Sequence, residues 1–369
     1  MRIALREMRR RPARFATAAA VLTLIAMLLM LLGGLLDGLI QRSTGAIRAQ
    51  RADLIVFSAT AEKSFLRSRI TPEVRAQVEA VPGVTGVGGI GVTQLGARVP
   101  GNGPRDLVDI ALFGYQRAPR GVLSPPAAGT AYADSILRDE GVQRGDTLQL
   151  GPARTPVRVV GFVDNVSYSG AGSLWAAADT WRDVQNANRP ASSVGSGVFQ
   201  TLVVRTGRDA SSVAAAIDRA TGGATETVSA TDAADSIAGV RQQRSVFNQI
   251  IGVTLAIAIV VVALFFALLT VERIGLYGML KAIGARSRTL FGGVVLQAVV
   301  VALVASAIGS GFALALDGLL PAGAIPYQLL PGRLIVSSAA LVLAAAVGSA
   351  FSLRRVLRVD PASAIGRAS

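Results

Sequence analysis

Four stretches of the chain carry no charged residue: Phe15–Leu36, Ser245–Val271, Thr289–Leu316 and Leu334–Leu353, of 22, 27, 28 and 20 residues. Each reaches the roughly 20 residues a helix needs to cross the apolar core of a bilayer. The pattern predicts an α-helical membrane protein with four transmembrane helices, at 15–40, 245–271, 289–316 and 334–353, and a mixed α/β domain at 41–244 between helices 1 and 2. The remaining pieces are an amphipathic lead-in (1–14), a connector (272–288), a loop (317–333) and a tail (354–369).

Within 41–244 the apolar runs shorten to strand length and are punctuated by Gly, Pro and Asp. "DLIVF" (53–57), "DLVDIALFGY" (106–115), "TPVRVVGFV" (155–163), "LWAAAD" (174–179), "VFQTLVVRT" (198–206) and "ATETVS" (224–229) read as strands. "TPEVRAQVEAVPGV" (71–84) reads as a short helix with Thr71 as N-cap, Pro72 at the first helical position and a Pro-Gly stop. "DSILRDEGVQRGDTLQL" (134–150) suggests a short helix, a Gly-Asp turn and a strand, and "DASSVAAAIDRAT" (209–221) a helix. The glycine-rich "GVTGVGGIGV" (83–92) lacks the strand–turn–helix setting of a nucleotide loop and reads as a twisted strand with bulges. "SYSGAGS" (167–173) reads as a flexible loop. From Thr231 no proline interrupts the chain before the second span, so one continuous helix is expected to join domain to membrane rigidly.

Composition agrees with a mixed architecture: 369 residues, 51% hydrophobic, with a mean hydropathy of +0.50. The apolar run after "MRIALREMRRRPARF" is too long for a signal-peptide h-region and no clear cleavage site follows it, so a retained anchor is expected. The formal charge of +14 is unevenly placed. Residues 1–14, 271–291 and the tail together hold 14 basic and 3 acidic residues, whereas 41–245 holds 22 basic and 18 acidic. This is the positive-inside distribution, and it puts both termini and the 271–291 connector in the cytoplasm, with the large domain and the 317–333 loop outside. The excess charge reads as orientation and attraction to anionic lipid, with no nucleic acid partner.

The chain has no Cys and no His, which removes disulfides, thiol nucleophiles and imidazole metal sites. Its lysines, Lys63 and Lys281, stand outside any P-loop pattern, so it is not expected to hydrolyse ATP. Asp134, Asp139 and Glu140 read as an ordinary solvated face, and neither catalytic residues nor a metal site are assigned.

The connector "VERIGLYGMLKAIGARSRTLF" (271–291) puts Leu276, Leu280 and Ile283 on one apolar stripe, flanked by Tyr277 and Met279, with Arg273 and Lys281 free to meet acids and Gly284 as its stop. Two readings fit those residues: a helix seated in a partner's groove, or one lying on the bilayer surface. Gly34 and Gly38 form a GxxxG pair, either a dimer contact or the ordinary glycine content of a membrane helix. Polar residues within spans are functional candidates. Asp37, Phe247 and Gln249 fall near the outer ends of the first two spans, where they can line one substrate cavity, while Gln297 reads as an interhelical hydrogen bond. Met27 and Met30 are either core filler or thioether groups of the same cavity.

The order of spans, the "ERIGLYGMLKAIGARSRTLF" signature, the "GVQRGDTLQL" turn and the terminal "RRVLRVDPASAIG" together resemble the MacB-type, or FtsX-like, permeases of ABC transporters. The chain is most similar in plan to their compact branch, the HrtB/DevC-like members of the type VII superfamily. The resemblance implies a homodimeric efflux permease of the cell's inner membrane, with a MacB periplasmic-core-like outer domain. It implies two copies of a separate P-loop ATPase that hold ATP and Mg, and no cofactor on this chain. Glu272, Arg273, Leu276, Tyr277, Leu280, Lys281, Ile283 and Gly284 would then form the ATPase-coupling helix. Motion would pass to the outer domain by mechanotransmission and expel haem, lipid, drug or peptide. An FtsX-like regulator of an extracytoplasmic hydrolase, moving no cargo, is the alternative.

Overall fold

The computed structural model describes residues 12–103, 105–272, 275, 279, 283, 287–319 and 325–356. It divides into two compact units: a helical one that includes residues up to Gly38, from Arg244 and again from Tyr327, and a sheet unit formed chiefly by Leu39–Gln243.

In the helical unit, four helices among the described residues are long and apolar enough to cross a membrane. α1 is Pro12–Arg48; the others run later in the chain, beyond the sheet unit. Every helix is longer than its uncharged run, because polar turns extend it at one or both ends. α1 in particular does not stop at residue 40: it continues to Arg48, and its last turns belong to the sheet unit.

The sheet unit follows in the order β1 Leu54–Ser58, α2 Pro72–Glu79, β2 Val84–Arg98, β3 Leu107–Tyr115, β4 Thr130–Asp134, β5 Thr147–Leu150, β6 Thr155–Val163, β7 Gly172–Ala177, α3 Ala178–Asn188, β8 Thr201–Thr206, α4 Ala210–Ala220, β9 Thr225–Ser229 and α5 Ala230–Asp235. The nine strands lie in the order β3-β7-β4-β6-β5-β2-β8-β1-β9, and β3 also pairs with β2, so six of them close into a ring. The glycine-rich stretch is part of β2, which has 15 residues and a bulge between Val84 and Gly86. Its first half pairs with β8 and its second with β3 and β5, so one strand serves both the ring and its three-stranded extension.

β3 shows why the ring strands are apolar throughout. Ile110 and Leu112 enter one core, while Ala111, Phe113 and Tyr115 enter another, so both faces are buried. Trp181 of α3 lies over Gly91 and Gly114, where any side chain would strike its ring, and donates its indole N–H to Thr93 Oγ1 at 2.9 Å. α2 starts as its sequence dictates, with the Val74 amide donating to Thr71 Oγ1 at 3.5 Å.

Two elements went unread in the sequence: β4, a five-residue strand whose single large side chain is Tyr132, and α3, which follows β7 without a gap. One expectation is corrected. No continuous helix runs from Thr231, because α5 ends at Asp235 and the next helix, α6 Val240–Val271, begins after a turn in which Gly239 has φ +84°. Ser236 Oγ donates back to Ala233 O at 2.7 Å and to Lys63 O at 3.2 Å, and the turn carries Ile237 and Val240 into the sheet unit's core.

The helical unit is completed by α7 Ser287–Leu319 and α8 Pro331–Val356. Small residues set its close crossings: Gly309 of α7 lies against Ala26 of α1, and Gly348 of α8 against the Ile259 carbonyl and Val262 of α6. Away from these contacts α6 exposes Val253, Ile257, Val260, Leu264, Leu268 and Val271, an apolar stripe at helical spacing.

Candidate functional site

α1 is held twice. In the helical unit "GGLLD" seats the segment leading into α8. The Gln328 amide donates to Gly34 O at 3.1 Å, the Tyr327 ring covers Gly34, and the Arg333 stem covers Gly33; neither glycine has room for a side chain. Asp37, one turn on, accepts both arms of Arg333, Nε at 2.9 Å and Nη2 at 2.6 Å. The pair is bidentate and largely withdrawn from solvent, with side-chain exposures of 10% for Asp37 and 24% for Arg333.

In the sheet unit the helix is held through backbone. Ser167 O accepts from the Ala46 amide at 2.9 Å, the Ser169 amide donates to Ser43 O at 2.9 Å, and the Gly170 amide donates to Arg42 O at 3.2 Å. Gln41 Nε2 donates to Asn165 O at 2.9 Å. Gly45 permits the approach, since a Cβ there would stand 2.7 Å from Asn165 O. "SYSGAGS" is therefore an ordered clasp. Ser167 Oγ donates to Asp134 at 2.5 Å, and Ser173 Oγ donates to Val166 O at 2.6 Å. Burial lifts the Asp134 carboxyl to about 6 against an ordinary value of 3.8, and the Ser167 hydrogen bond only partly opposes this. Beside the clasp a cavity of about 310 Å³ is lined by Arg42, Ser43, Ser169, Gly239 and Gln243, and the Gln243 amide oxygen meets no donor among the described residues.

The cavity candidates do not come together as expected. Asp37 is taken up by Arg333, and Met30 is buried in helix packing with Ser310 Oγ 3.7 Å from its sulfur, so neither offers a free ligand atom. Met27 and Phe247 are half-buried, and Gln249 is exposed beside Ser245. Gly38 is buried, and the Gly34 face is covered by Tyr327 of the same chain. Gln297 is buried inside α7. The Asp37–Arg333 pair itself was missed. Its signal was two lone charges, each next to a long uncharged run on the same side of the predicted membrane.

Of the connector, Arg273, Leu276, Tyr277, Leu280, Lys281 and Gly284 lie outside the described residues. Glu272 is exposed and its amide donates to Leu268 O at 3.0 Å. The Ile283 amide donates to Met279 O at 3.1 Å, and both side chains are exposed, at 78% and 63%.

Residues 248–361 match the FtsX-like permease C-terminal family. Over that stretch, about a third of its length, the chain is similar to the FtsX-like permeases. Along 98% of its length, and 98% of theirs, the chain is 27% identical to an uncharacterized ABC transporter permease of Mycobacterium tuberculosis and 25% identical to one of Mycobacterium bovis. It is 27% identical over 132 residues to HrtB of Staphylococcus haemolyticus, named as a haemin transport system permease, and spans 37% of that protein's length. The periplasmic region of MacB from Actinobacillus actinomycetemcomitans aligns over 52% of this chain and 96% of its own, with a TM-score of 0.35 and 13% identity. The extracellular domain of the transporter YknZ from Gram-positive bacteria aligns over 48% and 100%, with a TM-score of 0.32 and 15% identity.

Proposed function

We propose that this chain is the membrane subunit of an ABC efflux system, driven by a separate ATPase that docks on residues 272–288. The observation that carries the reading is the place of that segment: it falls inside the FtsX-like match, in a chain that has no P-loop of its own. Met279 and Ile283, exposed four residues apart, supply an apolar face for a groove. The arrangement of basic residues supports cytoplasmic termini and an outer sheet unit. Two permeases and two ATPases make up the assembly, with ATP and Mg held by the motor. The cargo is hydrophobic or amphipathic, with haem among the candidates because relatives are named for haemin transport.

Leu276→Asp and Leu280→Asp are expected to abolish co-purification of the ATPase while leaving membrane insertion intact; unchanged co-purification defeats the docking. Proteoliposomes holding permease and ATPase then separate efflux from the regulator alternative. ATP-dependent movement of haem or labelled lipid supports efflux. ATP-dependent control of a cell-wall hydrolase without such movement supports the regulator.

A further inference from the structure

We propose that the sheet unit carries a binding site for a phosphate-bearing ligand, built from Arg51, Arg117 and Arg205. The three arginines line one cavity of about 260 Å³ together with Gln50, Ala118 and Val203, and no acidic residue shares that lining. None of the three guanidiniums has a hydrogen bond or ion pair among the described residues. In a domain with 22 basic and 18 acidic residues, three unpaired cations lining one concave surface, Arg117 half-buried and Arg51 and Arg205 exposed, repel each other, and a bound anion relieves that repulsion. Arg51 follows the C-terminus of α1 at Arg48, where the helix dipole favours one cation; it does not account for three.

The strand beneath is shaped for this arrangement. Arg117 lies along β2 at Gly86 and Gly88, and a Cβ on Gly88 would stand 2.5 Å from the Arg117 Cγ. Gly88 pairs with Val203 and Gly86 with Arg205, so the two bare positions open a trench directly beside the cavity. Gln50, only 5% exposed, forms a fixed wall, its Nε2 donating to Ala46 O at 2.9 Å. Guanidinium forks match phosphate oxygens in pairs, and three of them exceed what a single carboxylate can accept. The volume, with Ala118 and Val203 on its wall, leaves room for a small organic group on the phosphate. That chemistry belongs both to a soluble phosphate ester and to an anionic lipid headgroup.

The test uses the full chain in phosphatidylcholine nanodiscs. One arm titrates glycerol phosphate by calorimetry; the other adds phosphatidylglycerol to the disc and follows thermal unfolding. Binding in the first arm alone identifies a soluble ester, and stabilisation in the second alone identifies a headgroup. In either case Arg117→Gln should weaken the response about tenfold or more, and Gly88→Ala, which displaces the Arg117 stem, should weaken it in the same direction. Arg67→Gln, at an exposed cation already paired with Glu62, should leave it unchanged. The proposal is overturned if neither probe acts. It is equally overturned if the Arg51→Gln/Arg117→Gln/Arg205→Gln variant, unfolding at the wild-type temperature without ligand, responds like the wild type.

Discussion

The two grips on α1 use different physics. At Gly33–Asp37 one main-chain bond to Gly34 O is joined by side-chain contacts that end in one bidentate ion pair, and most of the strength sits in two residues. At Gln41–Ala46 it is made mostly by backbone amides and carbonyls, spread over three main-chain bonds that most side chains leave untouched. A charge pair withdrawn from water is all or nothing, since removing one partner strands the other. A backbone clasp tolerates substitution except where the chain must approach closely, at Gly45, or where its anchor titrates, at Asp134.

The comparison breaks most visibly at the ion pair. Asp37→Ala or Arg333→Ala should each cost about 3–5 kcal/mol, seen as lost yield and a large fall in unfolding temperature in detergent. Asp37→Leu with Arg333→Met, which removes both charges at similar volume, should recover much of that loss. If the singles are mild, the pair is solvent-screened and the contrast fails.

The Asp134 anchor is next. Its carboxyl is raised from 3.8 to about 6, so the folded state holds the proton more tightly than the unfolded state. This group's contribution to stability is greatest below pH 3.8, falls as pH rises to about 6, and stays low above that. The span corresponds to roughly 2–3 kcal/mol. Asp134→Asn should flatten the dependence of unfolding temperature on pH across that window and match or exceed the wild type at neutral pH. A retained slope would assign the titration to another group. Gly45→Ala is the matching backbone test: a methyl against Asn165 O should cost about 1–3 kcal/mol, whereas Ser43→Ala, which keeps the main-chain bond, should cost little.

What could be read from the sequence was what is local. A span announces itself by missing charge over 20 residues, and α2 by Thr71–Pro72 at one end and Pro-Gly at the other. The strands showed as apolar runs, except β4, whose "TAYAD" is short and has one large apolar side chain, Tyr132, too little to stand out. The grips were not readable, because both join distant positions: Asp37 and Arg333 lie 296 residues apart, and Gln41 and Asn165 lie 124 apart. Loop 167–173 looked flexible because its composition is that of a loop, while its order comes from bonds to α1 and from the Ser173 hydroxyl to Val166 O. The connector's stripe was visible at 276, 280 and 283, and of these Ile283 is described and exposed.

The smallest expected effect concerns the other helix that leaves the sheet unit. Where α1 is unbroken from Pro12 to Arg48, the chain entering α6 breaks at Ser236–Gly239. The sequence alone argued for one helix through that point, and in a helix interior alanine is better than glycine by about 1 kcal/mol. In the observed fold Gly239 has φ +84°, a conformation in which a Cβ is strained by a similar amount. No side chain crowds the position, since nothing lies within 4 Å of a Cβ built there, so the backbone alone decides the outcome. The two accounts differ in the sign of a single measurement. Gly239→Ala should lower the unfolding temperature if the break is the native state, and raise it if a continuous helix is. A Ser236→Ala partner experiment sharpens the result: removing the hydroxyl that bonds to Ala233 O and Lys63 O should destabilise the break and leave a continuous helix unharmed. Two losses would establish that α6 begins after a turn at Ser236–Gly239 and does not continue α5.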